Sequence, residues 1–218
     1  QLTSVHSYIL MTDQETLPDS KIPALYSYER LISDSDPAYP FLKDIDENEA
    51  AGICYTSATT GKPKGVMLSG NNVKAVAEIW ATAMDITSED RMHIVAPLFH
   101  CAASHVFSIP VIYRGGTIII EEMFSPERTM RTMEEEKVTI FFGVPAMYNL
   151  LLNTDKMSTL KLPNLRLFAY GAAPMPYELI KKMKALFPDV KLQNLYGQTE
   201  NSPAATTLKD HYALNKIG

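Results

Sequence analysis

Residues 55–65 read YTSATTGKPKG, a loop rich in hydroxyl side chains that ends in a Lys-Pro-Lys segment between two glycines. A short apolar run, residues 50–55, leads into the loop, and a second, residues 66–68, follows it. Both runs are typical of short buried strands. Hydroxyl groups, backbone N–H groups and a lysine at a strand end can bind anionic oxygens. The stretch therefore predicts a phosphate-binding loop between two strand ends.

This loop is not the P-loop of the NTPases. The P-loop pattern GxxxxGK[ST] would require a glycine at position 56 and a serine or threonine at position 63. The chain has Thr56 and Pro63 there. A surface loop of the same composition that binds no ligand is the remaining alternative.

The loop closely resembles the signature YTSGTTGxPKG of adenylate-forming enzymes, the superfamily of acyl-CoA synthetases, peptide-synthetase adenylation domains and firefly-type luciferases. Only Ala58 departs from the pattern, where glycine is usual, and its β-carbon is expected to stiffen or shift the loop. The resemblance implies that the loop grips the β- and γ-phosphates of ATP through Thr56, Ser57, Ala58, Thr59, Thr60, Gly61 and Lys64.

A second segment, Tyr196–Glu200, reads YGQTE and resembles the YGxTE motif of the same superfamily. The resemblance implies that Tyr196 stacks on adenine, that Gly197 and Gln198 belong to the nucleotide site, and that Thr199 contacts the α-phosphate. Glu200 would hold Mg²⁺, with Thr56 as a second metal ligand. One carboxylate suits Mg²⁺ on a nucleotide, because the phosphates supply most other ligands. Thr199, Glu200 and Lys64 are the predicted catalytic residues.

A third segment, residues 170–174, reads YGAAP and follows a predicted strand. Small side chains let a backbone approach a flat ring closely. By resemblance, Gly171, Ala172, Ala173 and Pro174 lie along the adenine and ribose. An ordinary strand-to-helix turn, with Pro176 opening the next helix, is the alternative.

A fourth segment, residues 96–104, resembles the PLFH segment at the start of the acyl pocket in fatty-acid-type synthetases. It implies that Phe99, His100 and Val106 flank the acyl group. Amino-acid-activating members usually have an aspartate here, whereas residues 97–108 contain no Asp or Glu. The segment therefore favours a carboxylic acid without an α-amine.

Composition narrows the function further. The net charge of −5 does not indicate the basic surface that binds nucleic acid. No apolar run is long enough for a transmembrane helix, while peripheral membrane contact and oligomeric state stay open. Cys54 and Cys101 have no CxxC spacing and are expected to be buried free thiols in a reducing compartment, which favours the cytoplasm.

Strands and helices are predicted to alternate along the chain. Strands are expected at residues 5–11, 53–57, 66–68, 91–95, 117–120, 138–142, 165–170 and 190–195. Helices are expected from a cap at Asn71 or Asn72 to Met84, and at residues 105–114, 125–136, 145–153 and 176–186. This order predicts an α/β fold with a mostly parallel sheet flanked by helices and ligands at the carboxyl ends of its strands. By resemblance it is part of the N-terminal domain of the adenylate-forming, acetyl-CoA-synthetase-like fold.

The expected organisation is a connecting segment, residues 1–49, followed by the central part of the AMP-binding N-terminal domain, residues 50–218, without the C-terminal domain. The resemblance implies a medium- or long-chain fatty-acid–CoA ligase that uses ATP, Mg²⁺ and coenzyme A, and whose isolated 218-residue piece is inactive. Three alternatives are a carrier-protein ligase or luciferase-like second step, a nucleotide-binding module without catalysis, and an interaction domain.

Overall fold

The computed structural model describes residues 7–11, 22, 24–36, 38, 45–57, 61–157 and 159–216. The chain divides into two compact units, Gln1–Ile45 and Asp46–Gly218. In the first unit, β1 (Tyr8–Leu10) pairs in parallel with β2 (Leu25–Ser27), and helix α1 (Tyr28–Ser33) follows β2 directly. The predicted boundary between a connecting segment, residues 1–49, and the AMP-binding domain, which begins at residue 50, stays a prediction.

The second unit begins with a β-hairpin. Strands β3 (Ala50–Thr56) and β4 (Lys64–Ser69) pair antiparallel and form a two-stranded sheet of their own. The predicted phosphate loop is therefore the hairpin connection between two strand ends, as expected, and these strands lie outside the parallel sheet. β3 and β4 cannot pair in parallel, because a parallel crossover needs a dozen or more residues and this connection is shorter.

The main sheet has six strands in the order β10–β9–β8–β7–β5–β6. All neighbours are parallel except β10 and β9, which confirms the predicted mostly parallel sheet. The strands are β5 (Arg91–Ile94), β6 (Thr117–Ile120), β7 (Ile140–Gly143), β8 (Leu167–Gly171), β9 (Lys191–Tyr196) and β10 (Thr206–Leu208).

Helices cover both faces of this sheet, and the side chains of each strand alternate between them. Phe141 on β7 packs into one hydrophobic cluster with α4, α5 and α6, and its neighbour Phe142 packs into a second cluster with α2, a π-helix and α3. The helices are α2 (Gly70–Ala83), the π-helix (Ala102–Ser108), α3 (Ile109–Tyr113), α4 (Pro126–Glu135), α5 (Pro145–Leu152) and α6 (Tyr177–Leu186). None of the helices in the described ranges is both long and apolar enough to cross a membrane.

Two helix predictions need correction. The N-cap of α2 is Ser69, because β4 runs into the helix without a loop; its Oγ accepts a hydrogen bond from Asn72 N at 3.2 Å, and Asn72 Oδ1 accepts one from Ser69 N at 2.9 Å. The helix expected at residues 105–114 begins earlier, as the π-helix, and continues as α3. Pro110 is tolerated because it lies in the first turn of α3, where a missing N–H breaks no bond within α3.

A polar network joins three strands at the amino end of the sheet. Asp90, just before β5, accepts hydrogen bonds from Arg166 Nε at 2.8 Å and Nη2 at 2.7 Å, and from Thr139 Oγ1 at 2.7 Å. Thr87 N donates a further bond at 2.8 Å. Burial alone would raise the pKa of Asp90, but these hydrogen bonds and the charge of Arg166 outweigh it and lower that pKa.

Candidate active site

The site lies where the strand order reverses. After β5 the chain adds β6 on one side, then returns and adds β7 on the other side of β5. Ligands of open α/β sheets bind at the carboxyl ends of the strands at such a switch point. The segments that follow β5, β8 and β9 carry three of the four predicted motifs. The topology therefore brings these motifs to one edge of the sheet.

A cavity of about 340 Å³ lies at this edge. It brings together residues from the second, third and fourth predicted segments, which are far apart in the sequence. The predicted site residues that line it are His100, Val106, Gly171, Ala172, Tyr196, Gly197, Gln198, Thr199 and Glu200. Their individual roles stay predictions.

A second cavity, of about 580 Å³, adjoins the first at the turn that follows β8. It shares Ala172, Tyr196 and Gly197 with the first cavity and adds Ala173 and Pro174. Its opposite wall comes from β10 and from β9. The small residues predicted to lie along adenine are thus divided between two adjoining cavities.

The sequence interpretation missed several residues that also line the first cavity: Trp80, Cys101, Ala102, Phe107, Phe142, Leu195 and Pro203. Phe142 and Leu195 lie near the carboxyl ends of predicted strands, so the rule that ligands bind at strand ends could have identified them. Trp80 comes from α2 and carries no local signal of a site. Its spacing in the helix indicated only a core residue.

The hairpin places part of the predicted phosphate grip near the Thr199 turn. Thr56 ends β3 and Lys64 begins β4, and Thr56 Oγ1 donates a hydrogen bond to Lys64 O at 3.5 Å. β4 contacts the 3₁₀ turn Thr199–Asn201. Ser57, Gly61 and Lys64 are exposed. The predicted phosphate ligands Ala58, Thr59 and Thr60 lie outside the described residues.

The two residues of the PLFH segment differ in placement. His100 lines the cavity, and its Nδ1 accepts a hydrogen bond from Ala102 N at 3.1 Å, which fixes the ring. Phe99 is 90 % exposed and is not part of the wall of either cavity described above. A role of Phe99 against an acyl group therefore stays a prediction without support from this arrangement.

Thr199 has a thiol neighbour. Cys101 Sγ lies 3.2 Å from Thr199 Oγ1, so one of these groups donates a hydrogen bond to the other. Cys101 is buried, as expected, whereas Cys54 is half-buried on the hairpin, so the expected burial of both thiols is wrong for Cys54. No residue of β3 belongs to the buried core, which explains the partial exposure of Cys54.

Two glycines of the motifs are required by close backbone contacts. A Cβ on Gly197 would lie 2.2 Å from Pro203 O, and one on Gly171 would lie 2.4 Å from Leu195 O. These distances are too short for any side chain to be accepted without a shift of the backbone. The turns of the candidate site are therefore packed as tightly as a protein interior.

The same turns contain unusual backbone. Ala172 has a φ of 65° and Ser202 a φ of 57°, a region that residues with a Cβ rarely occupy. Ser202 is buried, and its Oγ has no hydrogen-bond partner in the part of the chain that the structure describes. Strained residues and unpaired polar groups are concentrated at functional sites in proteins. The unpaired hydroxyl of Ser202 supports this edge of the sheet as the functional one, whereas a positive φ also occurs at Asp85 and Lys137, at the opposite end of the sheet.

The donor set fits a magnesium ion that is bound mainly by a nucleotide. Within the described ranges, no three His, Cys, Asp or Glu residues converge as a metal site. Glu200 is an exposed carboxylate at the cavity, beside the turn that β4 contacts. One carboxylate with phosphate oxygens is a usual magnesium environment.

Comparison with known sequences identifies relatives of the chain. The family model described as "AMP-binding enzyme" matches residues 5–218. A feruloyl-CoA synthase of Amycolatopsis sp. is 34% identical over 166 residues, which are 76% of this chain and 33% of that protein. The long-chain-fatty-acid–CoA ligase FadD13 of Mycobacterium tuberculosis is 36% identical over 168 residues, 76% of this chain and 32% of that protein. The chain spans about a third of the length of these curated relatives.

Solved structures share the fold. The inhibitor-bound N-terminal domain of FACL13 from Mycobacterium tuberculosis matches with a TM-score of 0.82 and 31% identity, covering 89% of this chain and 49% of that one. O-succinylbenzoate coenzyme A synthetase (MenE) from Bacillus subtilis, in complex with ATP and magnesium ion, matches with a TM-score of 0.79 and 25% identity, covering 97% and 44%.

Fold and site together define an α/β protein with a cavity at the switch point of a mostly parallel sheet, bordered by the predicted nucleotide motifs. The match over residues 5–218 identifies its family. The chain belongs to the AMP-binding enzymes, which confirms the resemblance to the adenylate-forming superfamily.

Proposed function

We propose that this chain supplies the nucleotide- and acyl-binding part of an acyl-CoA ligase. The observation that carries this proposal is the 340 Å³ cavity at the carboxyl ends of β7, β8 and β9. It combines the polar Thr199–Glu200 turn with buried apolar side chains such as Val106 and Phe142. Such a cavity suits a substrate with a carboxylate at one end and an uncharged tail.

The proposed reaction has two steps. The carboxylate of the acid attacks the α-phosphorus of ATP, forming acyl-AMP and releasing pyrophosphate. The thiol of coenzyme A then attacks the acyl carbon and displaces AMP. Catalysis of this kind depends mainly on positioning and on neutralising charge. Thr199 is proposed to hold the α-phosphate, and Lys64, Thr56 and Ser57 the β- and γ-phosphates.

Magnesium is proposed to bind at Glu200, with Thr56 as a second ligand. When bound, the ion neutralises phosphate charge and so favours the departure of pyrophosphate. The proposal is supported by the exposed carboxylate of Glu200 at the cavity and by the contact between β4 and the Thr199 turn. MenE, a structural neighbour, binds ATP and magnesium ion.

The acid is proposed to be a carboxylic acid with an uncharged tail, and the sequence favours a medium- or long-chain fatty acid. Residues 97–108 contain no acidic side chain that could pair with an amine. The relatives act on different acids, since one is a feruloyl-CoA synthase and another a long-chain-fatty-acid–CoA ligase. A cytoplasmic location is likewise a proposal, and the free thiols Cys54 and Cys101 agree with it.

Pyrophosphate release tests the proposal. The full-length protein that carries this chain is incubated with ATP, magnesium and a panel of carboxylic acids. Pyrophosphate release followed by formation of an acyl-CoA is expected for at least one acid. ATP binding without pyrophosphate release for any acid would overturn the proposal in favour of a nucleotide-binding module. Release that depends on a carrier-protein thiol, and not on coenzyme A, would contradict the proposed second step.

Two lysines of the hairpin form a matched pair for the phosphate grip. Lys64→Ala is expected to lower kcat/KM for ATP on the order of 100-fold, because it removes a charge from the phosphate site. Lys62→Ala removes an equally exposed lysine at the variable position of the motif and is the control. Equal rates for the two variants would contradict the role of Lys64. The 218-residue piece alone is proposed to be inactive in the same assay.

A further inference from the structure

Three aromatic side chains from three different elements form one wall of the 340 Å³ cavity. They are Trp80 from α2, Phe107 from the π-helix and Phe142 from β7, and we call them the aromatic wall. Each is buried, with exposures of 2%, 2% and 8% respectively. All three belong to the hydrophobic cluster on this face of the sheet. Packed core therefore lies behind the wall.

The aromatic wall is held in place by specific contacts. The rings of Phe107 and Phe142 are stacked, with centroids 4.0 Å apart and planes inclined by 28°. Trp80 Nε1 donates a hydrogen bond to Pro203 O at 3.3 Å. To move one of these rings would break a stacked pair or leave a buried N–H without a partner. Because protein interiors are close-packed, a bound tail cannot readily push the wall aside.

The size of the cavity also restricts what can bind in it. A volume of about 340 Å³ is at the lower end of the range for small-molecule sites. The same space is bordered by Thr199 and Glu200, which the proposed function assigns to the nucleotide and its magnesium. Only part of the volume is therefore left for the tail of the acid.

We infer that the aromatic wall limits the acid to a compact, flat tail, so that the substrate is an aromatic carboxylic acid and not the medium- or long-chain fatty acid that the sequence resemblance predicts. This inference rests on the proposed function, since it concerns the acyl part of the same site. A ring in the cavity would meet the edges or faces of three aromatic side chains, an arrangement that aromatic rings favour. A long alkyl chain that extends past the wall would have to enter packed core.

Competition between acids tests the inference. The full-length protein is assayed by pyrophosphate release with cinnamate, octanoate and palmitate. The wild type is expected to prefer cinnamate to palmitate by a factor of about ten or more in kcat/KM, because a rigid pocket rejects a tail that does not fit. A preference for octanoate or palmitate over cinnamate would overturn the inference.

A variant of the aromatic wall provides the second test of the inference. Phe142→Ala opens space behind the wall and is expected to raise the palmitate-to-cinnamate ratio of kcat/KM by about ten-fold. The control is Phe141→Ala, since Phe141 is the preceding residue on β7, is also buried, and packs on the opposite face of the sheet. The ratio of two substrates on one preparation does not depend on how much of the protein is folded.

Phe142→Leu is the milder variant if Phe142→Ala does not fold. An unchanged ratio in a folded Phe142 variant, or the same change in Phe141→Ala, would overturn the role of the wall. The failure of the proposed function looks different, because then none of the three acids would give pyrophosphate with any protein. Pyrophosphate with a ratio insensitive to Phe142 would leave the ligase intact and remove only the length limit.

Discussion

At the amino end of the parallel sheet, Asp90 accepts hydrogen bonds from three other residues, whereas at the carboxyl end Ser202 Oγ is buried without a partner among the described residues. The network at the amino end joins the starts of β5, β7 and β8. Backbone strain does not separate the two ends, since Asp85 and Lys137 at the amino end have a positive φ, as Ala172 and Ser202 do at the carboxyl end. The difference in hydrogen bonding indicates that the amino end stabilises the sheet, whereas the carboxyl end leaves a polar atom unpaired at the candidate binding site.

The largest effect is expected from the amino end. Asp90→Ala leaves Arg166, Thr139 and Thr87 N without their shared partner and should lower the free energy of unfolding by about 3–5 kcal/mol. Urea unfolding measures the change. Glu178→Ala, which removes the exposed partner of Lys181, is the control and should change it by less than about 1 kcal/mol. Equal effects would show that the network does not support the sheet.

Acid should weaken the same network to a smaller extent, because protonation removes the charge and leaves the side chain in place. The pKa of Asp90 is lowered in the folded state, so the unfolded state binds more protons at low pH. Its contribution is fully present above the unfolded pKa, near 3.9, and is lost as pH falls through the folded value. Urea unfolding between pH 2 and 5, compared with Asp90→Asn, measures it. An identical pH dependence in the variant would contradict this assignment.

At the carboxyl end, Gly197→Ala should cost about 1–3 kcal/mol, because its Cβ would overlap the backbone of Pro203. The same shift should displace the Tyr196–Glu200 segment and weaken AMP binding, measured by calorimetry on the full-length protein. Gly52→Ala is the control, since its Cβ would meet nothing within 4 Å. A Gly197→Ala variant that binds AMP like the wild type would separate this turn from the nucleotide site.

The smallest effect is expected at Ala172. Ala172→Gly relieves a φ of 65° and should raise the free energy of unfolding by up to about 1 kcal/mol. Ala173→Gly, at a residue without positive φ, should lower it by about 0.4–1 kcal/mol through the entropy of the unfolded chain. Thermal or urea unfolding distinguishes them. Destabilisation of similar size in both variants would mean that Ala172 stores no strain.

Much of the fold follows from local sequence patterns. The alternation of apolar strands with helices predicted the sheet, and the structure places β5 to β9 close to their predicted ranges. The antiparallel pairing of β3 with β4 could not be predicted, because the pattern of residues 50–69 indicates strands but not which strand each one pairs with. The cap of α2 was misplaced because Ser69 and Asn72 share the capping role.

The site was predicted in part. The sequence motifs identified polar residues that line the cavity, such as Thr199 and Glu200, because the order of residues in these motifs is distinctive. Trp80 and Phe107 escaped notice because a buried aromatic residue in a helix looks the same whether it borders a cavity or fills a core. The strain at Ala172 was also missed, because alanine carries no signal for positive φ. Ala58, whose β-carbon was expected to stiffen or shift the loop, lies outside the described residues.

The place of β5 between β6 and β7 also determines how the sheet can grow during synthesis. Chains emerge from the ribosome amino end first, so β7 adds to the open edge of β5, and each strand from β8 to β10 then adds to the edge left by the strand before it. Among the described strands of this sheet, β5 alone keeps such an edge unpaired while another strand of the sheet, β6, is made. That edge is the point at which a nascent chain is most open to pairing with another molecule, and it closes when β7 arrives.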